Sequence, residues 1–219
     1  MKTIVYVDGY NLYYGLLRRS AFKWLDLYRL FQEHALGPAA DVVEVRYYTA
    51  PVLGRMSDDP ESPRRQRLYL QALRKMAPRR VEIVEGKINA ETPVLRLVEP
   101  LPGLPDLTHV RVHDFTEKKT DVNLAADLIA GAWTGAYEQA VICSNDTDLE
   151  GALRVIKLHR PEVRIGLVAP IPSNDTRKIA ADLKQYVDWA KVLSPLHLER
   201  SQLPEKIPGT AIRCPDCWR

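Results

Sequence analysis

Cysteine is scarce: three residues in 219, too few for a disulfide framework. Cys143 lies in an apolar, strand-like run, where a buried inert thiol is the ordinary reading. Cys214 and Cys217 form a lone Cys-Pro-Asp-Cys, whereas a tetrahedral structural zinc needs four ligands. With no second pair, this is half a zinc site, a subunit-bridging site or, the favoured reading, two thiols on a tail. No apolar run approaches the roughly 20 residues that span a bilayer, so no membrane partner is expected. The opening Met-Lys-Thr-Ile-Val-Tyr-Val-Asp has no signal-peptide h-region or cleavage site, which points to the cytoplasm. Excess charge is also missing. A net charge of only +3 does not announce a nucleic-acid binder.

What is present is ordinary soluble composition, 46% hydrophobic and 27% charged, enough to bury the core of one medium domain with a short appendage. Basic residues are clustered even though the total is balanced. Arg64, Arg65, Arg67, Arg74, Lys75, Arg79 and Arg80 crowd one helical region, and Lys118 and Lys119 precede an aspartate. A solvated helix face explains the first group as well as a phosphate contact does.

Strand-like and helical patterns alternate, which predicts an α/β chain with a mainly parallel central sheet flanked by helices. Buried strands are expected over 3–7, 42–49, 81–85, 139–144 and 163–168, each bounded by Gly, Pro, Asn or Asp. Helices are expected over 26–34, after Ser62-Pro63, over 121–133 and from Leu149. The helix over 121–133 is apolar on most of its girth, which predicts packing on two sides. A polar loop fills 54–63. A hairpin insertion is expected over 86–116, with strands over 94–98 and 110–115. The domain is read as 1–193, followed by a Pro-rich C-terminal tail, 194–219, that carries the Cys-x-x-Cys. No repeat is present, and a homo-oligomer stays open.

Aspartates stand at three of these boundaries. Asp8-Gly9-Tyr10-Asn11 directly follows the first strand, at the carboxyl end, where open α/β sheets bind ligands. Asn11 can orient the carboxylate, although a helix cap is the plain alternative for Asp8. Ser144-Asn145-Asp146-Thr147-Asp148 follows the fourth strand. Thr147 and Glu150 fit a capping box, making Thr147 the expected N-cap. A cap does not require aspartates on both sides of it. Two like charges at ~4 Å repel by about 1 kcal/mol in water and about 4 kcal/mol at an effective dielectric of 20, a penalty that a cation reverses. An EF-hand is excluded, because the twelfth position from Asp146 is Lys157 rather than a glutamate. Asp121 opens a helix and shares a face with Ala125 and Leu128, which turns it inward. Asp127, mid-helix, ranks below the other four and is read as orienting a neighbour or pairing with a base.

Asp8-Gly9-Tyr10-Asn11, Lys119-Thr120-Asp121-Val122 and Ser144-Asn145-Asp146-Thr147-Asp148, in that order, resemble the NYN domain family, and within it the LabA-like bacterial proteins. The resemblance covers roughly residues 1–190. It implies a three-layer, PIN-like (Rossmann-like) fold and divalent-metal-dependent cleavage of nucleic acid, usually RNA. It makes Asp8, Asp121, Asp146 and Asp148 the metal-binding carboxylates, and Asn11 and Ser144 polar residues that shape the site. Asn145 stands where many relatives have Gly, and Leu149 where they have an aromatic residue, so substrate fit is the point of departure.

These residues support metal-assisted phosphodiester hydrolysis with Mg²⁺ or Mn²⁺, the cations that hard carboxylate oxygens suit, in a one-ion or two-ion arrangement. Asn145 and Thr147 support the site. Lys118, Lys119 and the arginine-rich helix are candidates for phosphate contacts, and Tyr10, Tyr13 and Tyr14 for base stacking, with core packing favoured for at least one tyrosine. The rival readings are a regulatory RNA-binding protein that keeps the acidic pocket, a phosphatase, and a scaffold whose acids are caps. Tyr10 occupies the place of the second aspartate that aspartyl-phosphate phosphatases carry.

Overall fold

A computed structural model describes all residues except 55–58, 105, 173–174 and 219. Part of the loop expected over 54–63 therefore lies outside the described residues. Ten strands form among the described residues: β1 (Lys2–Asp8), β2 (Asp41–Thr49), β3 (Val81–Glu85), β4 (Lys87–Glu91), β5 (Val94–Arg96), β6 (His109–Arg111), β7 (Asp114–Lys118), β8 (Gln139–Cys143), β9 (Arg164–Ala169) and β10 (Trp189–Val192). Seven α-helices accompany them among the described residues. α1 (Gly9–Leu12) runs into a π-helical turn (Tyr13–Leu17), and α2 (Leu27–Arg29) into another (Leu30–Ala35). α3 is Ser62–Met76, α4 Thr120–Thr134, α5 Glu150–His159, α6 Ala181–Lys184 and α7 Pro195–Arg200.

Six strands make one parallel sheet in the order β10-β9-β8-β1-β2-β3. The chain moves from β1 outward to β3, then returns to the other side of β1 through β8. The direction of winding thus reverses between β1 and β8, the kind of switch point beyond whose carboxyl ends open α/β sheets place ligands. The fold class read from the alternating pattern is the one observed.

Strand alternation feeds two cores. Val5 and Val7 of β1 point to a layer built on Leu27 of α2, Phe31 of the π-helical turn that follows it, and Tyr69 and Leu73 of α3. Ile4 and Tyr6 point the other way, to Leu124, Leu128, Leu153 and Ile156 of α4 and α5. Covered on both faces, the central strands can be apolar throughout, which is why β8 is buried at every position.

Four features depart from the sequence reading. The insertion is a ribbon in two paired parts, β4 with β7 and β5 with β6, and it reaches Lys118 rather than ending at 116. β10 adds an edge strand beyond the expected five. α4 meets both the sheet and α5 but is covered on less of its girth than expected: Leu124, Leu128 and Ala132 are buried and Ala125 and Ile129 partly buried, while Val122 is 71% and Trp133 47% exposed. Finally, residues 194–218 fold onto the α2 and α3 layer instead of trailing. A capping box on Ser194 starts α7, Leu198, Leu203, Ile207 and Cys214 are buried, and Trp218 packs against Trp24 and Tyr69. Cys143 is buried as expected, and Cys217 is exposed. No helix among the described residues is long and apolar enough to cross a membrane.

Candidate metal centre

Asp8 is the last residue of β1 and caps α1, its Oδ1 accepting the Asn11 backbone N–H at 2.9 Å. The cap and the site therefore use the same side chain. Gly9 makes the turn feasible: a Cβ there would meet the Tyr48 carbonyl oxygen at 2.5 Å, so only glycine lets α1 begin directly over β2. On the adjacent strand the register pairs Val7 with Cys143, which brings Ser144 beside Asp8. Ser144 Oγ donates to Asp8 Oδ2 at 2.9 Å and accepts the Asp146 N–H at 3.1 Å. Both Asp8 oxygens are thus fixed by hydrogen bonds.

After β8 the chain turns one residue earlier than the capping-box pattern implies. Asp146 is the N-cap of a short 3₁₀ turn (Thr147–Leu149), accepting the Asp148 N–H at 3.0 Å, and α5 begins only at Glu150. Thr147 is exposed and caps nothing. Asn145 ties the loop down: its N–H donates to Asn11 Oδ1 at 3.0 Å, and its Oδ1 accepts the Ala180 N–H at 2.9 Å. Asn11 thereby acts on the β8 loop through its side chain and on Asp8 through its backbone.

Asp121 arrives from the ribbon. The N-cap position of α4 is Lys119, held at φ 80°, a left-handed backbone that a non-glycine residue adopts at a cost. Asp121 is therefore not the cap but a residue of the first turn. Glu117 fills that role, accepting the Thr120 N–H at 3.1 Å and the Thr120 hydroxyl. Gly86, at the root of the ribbon, leaves room for this turn, since a Cβ there would strike Thr120 and Glu117. Sequence reading missed Glu117, whose role exists only once the ribbon folds back onto α4.

The outcome is a cluster in which Asp8, Asp121 and Asp146 each offer a carboxylate oxygen within 4.8 Å of the others. None of the three forms an ion pair among the described residues. Burial, then the charges of Asp8, Asp146, Glu117 and Asp148, push the Asp121 carboxyl up to about 6. Asp8 is also raised, by burial first, while the bonds from Asn11 and Ser144 pull it back. Negative charge gathered this closely without a counter-cation fits a small divalent ion bound through hard oxygens.

The other sequence candidates fall around this centre. Asp148 is exposed and outside the group of three, though near enough for its charge to act on Asp121. Lys118 and Lys119 are exposed at the ribbon's base, with Lys87 opposite Lys118. Asp127 faces elsewhere: it accepts the Tyr48 hydroxyl at 2.8 Å and lies 3.8 Å from Arg46, which also holds Glu44 and Glu82. It anchors α4 to β2, and its pairing with a base is the one the sequence allowed.

Residues 2–190 match the NYN domain. The chain belongs to the NYN domain family. This NYN protein is also 34% identical, over 95% of its length, to the 6-hydroxy-3-succinoylpyridine 3-monooxygenase of Pseudomonas putida, covering 72% of that protein. A protein of unknown function from Vibrio parahaemolyticus shares the fold, with a TM-score of 0.51 at 19% identity over 89% of this chain and 93% of that one. Membership of the NYN family implies a PIN-like nuclease type with an acidic cluster, and the cluster is present.

Proposed function

We propose that this NYN-domain protein is a divalent-metal-dependent phosphodiesterase that cleaves nucleic acid, with RNA as its substrate. The convergence of Asp8, Asp121 and Asp146 at the switch point of the sheet carries the reading. Mg²⁺ or Mn²⁺ would be held by these three carboxylates, with Asp148 reaching in from the rim. When bound, such an ion supplies Lewis-acid stabilisation of the charge that develops on a phosphodiester and acidifies water.

The chain's own residues do the rest. Ser144 and Asn11 keep the Asp8 carboxylate in one orientation, so little reorganisation is left for the reaction. Glu117 and Thr120 fix the start of α4 and with it Asp121. Lys118 and Lys119, exposed at the ribbon's base, contribute sequence-independent affinity for backbone phosphates.

A second reading is favoured by one observation, the likeness to a pyridine monooxygenase. One experiment separates the two. Purified protein is incubated with labelled single- and double-stranded RNA and DNA, with Mn²⁺ or EDTA, beside Asp146→Asn. In parallel it is incubated with 6-hydroxy-3-succinoylpyridine, oxygen and reductant. Mn²⁺-dependent RNA cleavage that is lost in Asp146→Asn supports the nuclease. Turnover of the pyridine without cleavage replaces it, equal cleavage by both proteins removes the site assignment, and RNA binding without cleavage leaves a regulatory binder.

A further inference from the structure

The helix that starts on Asp8 carries three tyrosines, and two of them face solvent: Tyr13 is 37% and Tyr14 57% exposed. An exposed tyrosine alone means little. These are arranged. Tyr10 and Tyr14 are stacked, with centroids 6.1 Å apart and planes 20° from parallel, and Tyr13 meets Tyr14 edge-on at 5.3 Å. The Arg18 guanidinium lies 5.4 Å from the Tyr14 centroid and continues the column. A π-helical turn over Tyr13–Leu17 sets this geometry, a distortion often found at functional sites.

The column begins at the metal centre. Tyr10 lies two residues after Asp8, on the helix that Asp8 caps, and is partly buried. From Asp8 to Tyr14 the helix advances roughly 9 Å, or two to three base steps at the ~3.4 Å spacing of a stacked strand. Positive charge lies at one end of it, where the Arg18 guanidinium sits over Tyr14, while Arg65 is paired with Asp59.

Resting on the nuclease reading, we propose that Tyr10, Tyr14 and Tyr13, closed by Arg18, form a stacking platform for unpaired bases two to three nucleotides from the cut phosphate, which makes single-stranded RNA the preferred substrate. Paired bases in a duplex hide the faces that such a platform needs, whereas every unpaired base offers one.

The test is fluorescence anisotropy with a short labelled single-stranded RNA and a duplex of the same length. Full-length Asp146→Asn protein in Mn²⁺ is compared with the same protein carrying Tyr14→Ala or Tyr14→Phe. Stacking on one aromatic is worth about 1–3 kcal/mol per base, so Tyr14→Ala weakens single-strand binding by about fivefold or more. Tyr14→Phe retains it, and duplex affinity stays unchanged. Single-strand affinity that is equal in the parent and in Tyr14→Ala overturns the platform. So does a parent that binds no RNA but binds 6-hydroxy-3-succinoylpyridine through Tyr14. Cleavage by the wild-type protein is scored separately. Tyr14-dependent binding of uncut RNA keeps the platform and removes the nuclease, and cut RNA with Tyr14-independent binding does the reverse.

Discussion

Replacing Asp121 by Asn should stabilise the metal-free protein at neutral pH, although it removes a ligand. The Asp121 carboxyl rises from 3.8 to about 6, because burial and four neighbouring carboxylates disfavour its charge. At about 1.4 kcal/mol per pH unit this corresponds to at most about 3 kcal/mol. The group is only partly shielded from water, so screening reduces the figure to about 1 kcal/mol. The sign follows from linkage. A carboxyl that holds its proton more tightly when folded contributes stability below its unfolded value, and that contribution is lost as pH rises from about 4 through about 6. Thermal melts in EDTA from pH 4 to pH 8 read this out. Asp121→Asn is expected to melt about 2–4 °C above wild type at pH 7.5, with the gap closing as pH falls toward 4. Saturating Mn²⁺ should reverse the order, since only a protein that binds the ion gains from it. A wild type more stable than Asp121→Asn in EDTA at pH 7.5 would refute the idea that the cluster is a store of unrelieved repulsion.

Three further outcomes follow from the same contacts. Ser144→Ala leaves Asp8 Oδ2 and the Asp146 N–H without their partner, at a cost of about 1–3 kcal/mol in chemical denaturation, and weakens Mn²⁺ affinity in calorimetry by about tenfold or more. Lys119→Gly relieves a left-handed backbone worth about 1–2 kcal/mol, so its melting temperature rises unless glycine's added freedom when unfolded offsets the gain; a fall in Tm would contradict the reading of φ 80°. Trp24→Ala opens the seam between α2 and the C-terminal segment and removes the Nε1–H bond to the Pro204 carbonyl, costing about 3–5 kcal/mol in denaturant titration.

The centre was legible in the sequence to the extent that it is local. Asp8 and Asp146 each follow an apolar strand within a few residues, and a strand end is visible in a period of hydrophobicity. Their convergence needed the strand order, which places β1 beside β8 although they lie over a hundred residues apart. The expected cap at Thr147 differs from the observed cap at Asp146 because both side chains satisfy the same local rule, and the pull of Ser144 on the Asp146 N–H decides between them. β4 gave no signal, since Lys-Ile-Asn-Ala-Glu is half exposed and pairs only across the ribbon. The Asp127–Arg46 pairing and the burial of residues 194–218 arise from long-range packing, which periodicity does not record. Leu203 and Ile207 are too widely spaced among prolines to show a pattern, yet both are buried.

The proposed function requires that Asp8, Asp121 and Asp146 together hold a divalent cation. Its most direct test is an anomalous difference map from crystals soaked in Mn²⁺, with Asp146→Asn crystals treated identically. A peak is expected between the three carboxylates of the wild-type protein and none in Asp146→Asn. Saturating Mn²⁺ that leaves the three carboxylates without a peak would contradict the proposed function.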